Sequence, residues 1–314
     1  MFEKVSPSHP DKLADRLSGA IVDLAYERSE GGFLHGNPRI AVEVLAGHNR
    51  VDVQIETSLG RQDLRADDLD PLIHRLFGER VVGNVLIAPQ DAHLSENQTR
   101  GLRCGDNGIF RGCPPTEEQK LLTSLTATIY ENVPYDGKYL AGGLMLNPGS
   151  EYQAEVYGVT ICQSHATEEE IDECMRQWEE ANFGEMKNYP FEASCINPLG
   201  PWTGGIDVDC GCTNRKLGSD MGDGVTGGGL MGKDVSKADV SVNIVCYLKA
   251  VASGQVVTAC CSIGDESVTF QYADGKTETE TFADIVEMAR LFILFDCNGS
   301  FEEFAKWGLI RPKE

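Results

Sequence analysis

The stretch RIAVEVLAGHNRVDVQIET, residues 39–57, decides the fold class of this chain. Apolar and polar residues alternate with a period of two in both halves, which is typical of β-strands with one buried face. The turn Gly47-His48-Asn49-Arg50 between them pairs Ala46 with Val51 in an antiparallel hairpin. Its polar face carries Glu43, Gln54 and Glu56. Two carboxylates on one sheet face are either solvated or part of a site, and the hairpin alone leaves both interpretations open.

Helices and a second hairpin surround this element in the sequence. Helical spacing predicts a helix over 10–26, with Ser8 and Asp11 as a capping box, and further helices over 167–182, 236–252 (capped by Ser236) and 281–295. Period-two alternation predicts a hairpin over 255–263 and 266–272, whereas 90–116 has the composition of a loop. These elements lack the regular βαβ rhythm of a parallel sheet, so we expect an α+β fold.

Charge and composition exclude several functional classes. The 314 residues carry a formal charge of −22, and a surface of that sign repels nucleic-acid phosphates and anionic lipids. No apolar run is long enough to span a bilayer, and we expect no signal peptide because acidic residues interrupt the first 25 positions. The 11 cysteines lack the spacing of a zinc site. We expect reduced thiols in a cytoplasmic protein that binds neither nucleic acid nor membrane.

A glycine-rich basic stretch over residues 215–239 stands out against this acidic background. Its cations are Arg215, Lys216, Lys233 and Lys237. The segment from Gly227 to Lys233 nearly matches a P-loop, but Asp234 replaces the hydroxyl residue that a P-loop uses for magnesium. Cations and carboxylates on a glycine frame suit a polyphosphate with a divalent metal. A flexible surface loop of mixed charge is the alternative.

A second candidate, His9-Pro10-Asp11-Lys12, stands at the predicted start of the first helix. Proline is common in a first helical turn, and the exposed amides there favour anions. Asp11 either caps the helix or belongs to a site.

Five elements in this order resemble the methionine adenosyltransferase (S-adenosylmethionine synthetase) family. They reach from residue 6 to residue 239. They are Ser6-x-x-His9-Pro10-Asp11-Lys12-Leu13-Ala14-Asp15, Gly105-Asp106-Asn107-Gly108, Asp136-Gly137-Lys138, Asp209-Cys210-Gly211-x-Thr213-x-Arg215-Lys216 and Gly227-Gly228-Gly229-x-x-Gly232-Lys233-Asp234-x-Ser236-Lys237-x-Asp239.

The resemblance implies a transferase that makes S-adenosylmethionine from ATP and L-methionine and hydrolyses the triphosphate to phosphate and pyrophosphate. It implies three α/β domains in a pseudo-threefold arrangement. We expect these at residues 1–100, 104–200 and 201–314, with segments interleaved in space. Two Mg²⁺ ions and K⁺ are the implied cofactors. A homodimer or dimer of dimers with shared active sites is the implied assembly.

The resemblance also implies a role for individual residues. The implied catalytic residues are His9, Lys12, Lys138, Arg215 and Lys233. These five would bind ATP together with Asp106, Asp136, Trp202, Asp209 and Lys216. Methionine would contact Glu56, Gln90, Asp209 and Lys237. Asp11 and Asp239 would bind magnesium, and Glu43 would bind potassium.

The chain departs from the family pattern in several places. Pro7-Ser8 replaces the usual Glu-Gly, Pro201 stands at a usually basic position, and the glycine run before Lys233 is one residue shorter. The chain is also short between Asp106 and Asp136 and at its C-terminal end. These differences leave two alternatives, a non-catalytic or regulatory nucleotide-binding relative and an enzyme that is only a triphosphatase.

Overall fold

The computed structural model describes residues 1–91, 93, 101–146, 155–184, 191–201 and 203–312. In chain order its strands are β1 (Phe2–Val5), β2 (Ala41–Gly47), β3 (Arg50–Thr57), β4 (Val82–Pro89), β5 (Gly108–Gly112), β6 (Gly137–Leu146), β7 (Glu155–Gln163), β8 (Phe191–Ile196), β9 (Gly211–Cys212), β10 (Val257–Cys261), β11 (Ser267–Tyr272) and β12 (Thr277–Thr281). The helices are α1 (Pro10–Arg28), α2 (Gly32–His35), α3 (Asp70–Phe77), α4 (Glu117–Asn132), α5 (Glu168–Phe183), α6 (Leu217–Met221), α7 (Ala238–Ser253), α8 (Phe282–Asp296) and α9 (Phe301–Trp307).

The strands form three four-stranded sheets, in the orders β1-β6-β7-β8, β4-β3-β2-β9 and β12-β11-β10-β5. Each sheet takes one strand from a distant part of the chain, namely β1, β9 and β5. Mixed parallel and antiparallel pairing occurs in the first two sheets. The protein is therefore a mixed α/β structure with several sheets; the pseudo-threefold arrangement and the three domain ranges stay predictions.

The hairpin that decides the fold has the predicted register. Ala46 lies opposite Val51, and Glu43 lies opposite Gln54. His48 and Asn49 both have positive φ, at 52° and 63°, as a two-residue hairpin turn requires. The valines of both strands are buried, whereas Glu43, Gln54 and Glu56 are exposed. The alternation of the sequence thus predicted both the pairing and the two faces of this sheet.

Helix α1 packs across the buried face of the hairpin. Its buried residues include Leu17, Ile21 and Ala25, and they belong to the larger of two apolar clusters. Proline in the first turn and Asp11 beside the helix dipole favour a helix that begins at Pro10. The helix places its first turn beside β9, at the edge of the sheet. The second apolar cluster joins the β1-β6-β7-β8 sheet to helices α4 and α5.

Three local predictions were wrong. Residues 108–112, inside the predicted loop 90–116, form strand β5 because they pair with β10, more than 140 residues away. Ser236 does not cap α7, since Lys237 occupies that position and the Ser236 backbone N–H donates to Asp234. Ser8 does not cap α1; its hydroxyl donates to the Pro134 carbonyl, and His9 is the capping residue. Within the described residues, no helix is both long and apolar enough to cross a bilayer.

Candidate functional site

The first turn of α1 carries two of the predicted site residues. The His9 side chain accepts the backbone N–H of Asp11 through Nδ1 at 3.2 Å and so caps the helix. Strand β9 lies directly against this turn, because a Cβ on Gly211 would come within 2.0 Å of the Pro10 carbonyl oxygen. Glycine at this position therefore lets the backbone of β9 approach the helix start, and the Cys212 N–H reaches the Asp11 carboxylate at 2.9 Å.

His9 is a neutral imidazole in this environment. Burial lowers its pKa, and the charges of Lys216, Lys138, Lys12 and Arg215 lower it further, to about 3. Nδ1 accepts the Asp11 N–H, so the ring proton resides on Nε2. The ring can therefore donate one hydrogen bond through Nε2 at neutral pH.

Cations surround the buried Asp11 carboxylate. Arg215 Nε lies 3.5 Å from Oδ1, and Lys216 Nζ lies 3.7 Å from Oδ2. Asp11 is only 2% exposed, so its charge is sheltered from water while it is balanced by these two side chains. The segment that carries Arg215 and Lys216 is also anchored to α1, because the Asn214 N–H donates to Asp15 at 2.8 Å.

Glu3 is a functional candidate that the sequence analysis missed. Its carboxylate contacts Lys138 Nζ at 2.8 Å and Lys216 Nζ at 3.4 Å, so it bridges two predicted phosphate-binding cations. Burial raises the pKa of Glu3, but the two lysines outweigh burial and lower it overall. The sequence did contain a signal for this role of Glu3. Phe2 and Lys4 are buried, and alternation along the strand turns Glu3, which lies between them, to the opposite face of β1.

Seven of the predicted residues line one cavity of about 490 Å³, which we call the α1 cavity. They are His9, Asp11, Asp136, Lys138, Asp209, Arg215 and Lys216. Cys162 and the turn 197–200 complete its wall. Four cationic side chains or N–H donors around a concave surface suit an anion with several oxygens.

Asp136 is a buried carboxyl on the wall of the α1 cavity. Burial raises its pKa to about 6, although the Gly205 N–H, which donates to Oδ2 at 3.2 Å, lowers it in part. The other oxygen, Oδ1, has no hydrogen-bond partner among the described residues. A buried polar oxygen without a partner is unfavourable, so this one can accept a hydrogen bond from a bound ligand.

A second cavity of about 240 Å³, the α7 cavity, contains the other predicted residues that the structure groups together. They are Glu56, Gln90, Asp106, Lys233, Lys237 and Asp239. Arg39, Asn107 and Ser236 also line it, and the sequence analysis predicted no binding or catalytic role for them. Among the described residues, the two cavities share no lining residue.

The glycine-rich segment delivers Lys233 to the α7 cavity. The Val42 N–H donates to the Gly232 carbonyl at 2.7 Å, and Ala41 pairs with Lys233 as an isolated β-bridge. Lys233 Nζ then lies 2.6 Å from Asp239 Oδ2. Gly228 has a φ of 89°, and a Cβ there would come within 2.3 Å of Asp239 Oδ1. The shortened glycine run therefore still places Lys233 beside the predicted magnesium ligand.

Two predicted residues, Lys12 and Glu43, lie outside both cavities. Lys12 is fully buried beneath the α1 cavity, with Nζ 2.7 Å from Asp220 and 3.1 Å from Asp15. Burial lowers the pKa of Lys12, but the two carboxylates outweigh it and raise the pKa overall. Glu43, on the exposed sheet face, accepts the Thr213 hydroxyl. Trp202 lies outside the described residues.

The predicted magnesium ligands Asp11 and Asp239 suit the metal only if a bound substrate supplies further oxygens. Asp11 and Asp239 lie in different cavities, and the described part of the chain contains no cluster of three acidic, histidine or cysteine ligands. Mg²⁺ is commonly held by one or two carboxylates plus the phosphates of a substrate. One carboxylate in each cavity fits that pattern.

Two cavities lined by cationic and acidic side chains suit a protein that binds a polyphosphate and a small polar molecule. No protein-family model matches the chain. It is 28% identical to the S-adenosylmethionine synthase of Jannaschia sp. over 82% of this chain and 73% of that protein. It is 27% identical to that of Hyphomonas neptunium, over 82% of this chain and 74% of that protein, and 25% identical to that of Mesoplasma florum, over 88% and 79%. These similarities support a divergent member of the S-adenosylmethionine synthase family.

Proposed function

We propose that this chain is a methionine adenosyltransferase, which makes S-adenosylmethionine from ATP and L-methionine and hydrolyses the bound triphosphate to phosphate and pyrophosphate. The grouping of His9, Lys138, Arg215 and Lys216 around one cavity carries the proposal. In the reaction the methionine sulfur attacks C5′ of ATP, and the C5′–oxygen bond breaks. The departing triphosphate gathers negative charge, and this cavity has the donors to accept it.

The α1 cavity would hold the triphosphate and the ribose. Lys138, Arg215 and Lys216 would bind phosphate oxygens, and Nε2–H of His9 would donate to the leaving C5′ oxygen. One preorganised donor of this kind contributes about 3–4 kcal/mol to transition-state stabilisation. The unpartnered Oδ1 of Asp136 would accept a ribose hydroxyl. Asp209 would lie beside the methionine end of the nucleotide.

The α7 cavity would bind methionine and the remaining phosphate contacts. Glu56, Gln90 and Lys237 would contact methionine, Lys233 would contact phosphate, and Asp106 would lie near the ribose. A thioether is a neutral nucleophile, so no general base is needed; in-line placement of the two substrates contributes up to about 7–11 kcal/mol. Magnesium, held by Asp11 and Asp239, neutralises phosphate charge when it is bound. Glu43 is the proposed potassium ligand.

We propose that the two cavities meet across a dimer, with the α1 cavity of one copy facing the α7 cavity of another. The exposed face of the β4-β3-β2-β9 sheet supports this assembly. It presents Leu45, Val82 and Leu86, which are 52%, 68% and 59% exposed, and it carries Glu56 into the α7 cavity. An apolar face of this kind favours a protein interface.

The direct test incubates the purified chain with ATP, L-methionine, Mg²⁺ and K⁺, and follows S-adenosylmethionine by mass spectrometry. We expect product, phosphate and pyrophosphate in equal amounts. Folded protein that binds ATP without forming product would instead indicate a regulatory relative. Phosphate release from inorganic triphosphate, with no product from methionine under any condition, would indicate a triphosphatase.

A further inference from the structure

Arg39 combines backbone strain with a place on the wall of the α7 cavity. Its φ is 47°, in the left-handed region that is strained for a non-glycine residue. Strain of this kind persists only where the surroundings enforce it, and it is concentrated at sites that need a fixed side chain. Arg39 lies two residues before the start of β2, between the buried residues Pro38 and Ile40.

Hydrogen bonds on both sides of Arg39 enforce this conformation. The Pro38 carbonyl before it accepts the Thr57 hydroxyl at 2.9 Å and the Ser58 N–H at 3.3 Å. The Ile40 N–H after it donates to Asp234 Oδ2 at 2.5 Å, and the Ile40 carbonyl accepts the Asp234 N–H at 3.3 Å. These bonds join β3, β2 and the segment that follows Lys233, so they fix the backbone of Arg39 between two anchors.

The charges of the α7 cavity give this fixed guanidinium a role. Lys233 pairs with Asp239 at 2.6 Å. Glu56, which lies opposite Ala41 on the neighbouring strand β3, supplies a carboxylate to the same cavity. Burial lowers the pKa of Arg39, and Asp234 raises it only in part, but a guanidinium stays protonated at any physiological pH. A partly desolvated guanidinium binds an anion strongly, and its planar fork matches both oxygens of a carboxylate.

We propose that Arg39 binds the α-carboxylate of the amino-acid substrate in the α7 cavity and thereby selects a free amino acid over analogues that lack this carboxylate. This inference rests on the proposed function. It assigns Arg39 a specificity role separate from the phosphate contacts of Lys233. Glu56 lies opposite Ala41 on the neighbouring strand and lines the same cavity, so its carboxylate would receive the substrate ammonium. Arg39 and Glu56 would then recognise the two ends of one zwitterion.

The test compares L-methionine with L-methioninol, in which a hydroxymethyl group replaces the carboxylate. The kcat/KM of each is measured at saturating ATP, and their binding is measured by calorimetry, for the wild type and Arg39→Gln. We expect the wild type to prefer methionine by about 10- to 100-fold, as the loss of a charge-assisted contact predicts. Arg39→Gln should lower kcat/KM for methionine by a similar factor and change methioninol little, so the preference should collapse.

Two further variants keep the test independent of folding. Arg39→Asn places a residue that tolerates positive φ at the strained position, so it should fold at least as well and show the same loss of preference. Arg176→Gln removes an exposed arginine of α5 that is paired with Glu173, and it should leave both substrates unchanged.

Three outcomes would overturn or redirect the inference. An unchanged preference in Arg39→Gln, or an equal fall for both substrates, would show that Arg39 does not contact the carboxylate. A collapse in Lys237→Met but not in Arg39→Gln would assign the carboxylate to Lys237 instead. A wild type that binds methionine without turnover would contradict the proposed function alone, whereas one that binds no methionine would contradict both.

Discussion

The α1 and α7 cavities differ in how their charges are arranged. In the α1 cavity, the cations Lys138, Arg215 and Lys216 converge on the carboxylates of Glu3 and Asp11, and two further carboxylates line the wall. In the α7 cavity, Lys233 and Asp239 form a close pair, and Glu56 adds a further negative charge. The first cavity suits a polyanion, and the second suits a zwitterion beside one phosphate contact. The difference supports the proposal that the two cavities bind different parts of one reacting complex.

The largest expected effect concerns Lys12. The family resemblance implies a catalytic role for it, but it is buried between the carboxylates of Asp15 and Asp220. Lys12→Met leaves Asp220 and Asp15 buried without their cation, so we expect a loss of about 3–5 kcal/mol in the free energy of unfolding. Urea denaturation at pH 7 measures it. Lys12→Met/Asp220→Asn should recover part of the loss, since it removes one uncompensated carboxylate. A variant of unchanged stability with weakened ATP binding would place Lys12 among the phosphate ligands instead.

The role of the clustered cations in the α1 cavity is tested by Lys216→Met. This change removes a charge that contacts both Glu3 and Asp11, and we expect kcat to fall by about 10²–10³-fold with little change in the KM for methionine. Lys120→Met on α4, where an exposed lysine pairs with Glu117, is the matched control. If the two variants have equal activity, Lys216 does not stabilise the departing triphosphate.

The smallest expected effect concerns the pH dependence of stability. Burial raises the pKa of Asp136 from 3.8 to about 6, so the folded chain binds a proton on it more tightly than the unfolded chain does. The stability contributed by this proton is fully present below pH 3.8 and is lost as pH rises through 6. Asp136→Asn should therefore raise the free energy of unfolding by on the order of 1–2 kcal/mol at pH 8 and by little at pH 4. Thermal unfolding at both values checks this; equal shifts would contradict the assignment.

Much of the fold follows from local sequence pattern. The hairpin register, the start of α1 and the Thr167 and Thr281 caps of α5 and α8 depend on residues within a few positions of one another. Strand β5 was missed because its partner β10 is distant in the chain. Ser236 was wrongly predicted as a helix cap because its backbone N–H donates to the Asp234 carboxylate, a contact that the pattern does not reveal. Pattern alone does not determine such contacts.

The candidate site was predictable in composition but not in arrangement. The ordered motifs contain seven predicted site residues of the α1 cavity and four of the α7 cavity, and the family resemblance adds Glu56 and Gln90, yet nothing in their spacing separates them into two groups. That separation comes from the β4-β3-β2-β9 sheet. The segment after its edge strand β9 carries Arg215 and Lys216 beside α1, while the opposite end of β2 pairs with Lys233. Glu3 and Arg39 were missed because their importance arises from neighbours that are distant in the chain.

The central claim is that the two cavities complete one active site across two copies of the chain, and complementation tests it most directly. Lys216→Met and Lys233→Met, each in an otherwise intact chain, are assayed separately and after co-expression with two different affinity tags. Each alone should be nearly inactive. The mixed dimer combines one intact α1 cavity with one intact α7 cavity, so the co-expressed pool should regain about a quarter of wild-type activity. Purified mixed dimers that stay as inactive as either variant would contradict the account.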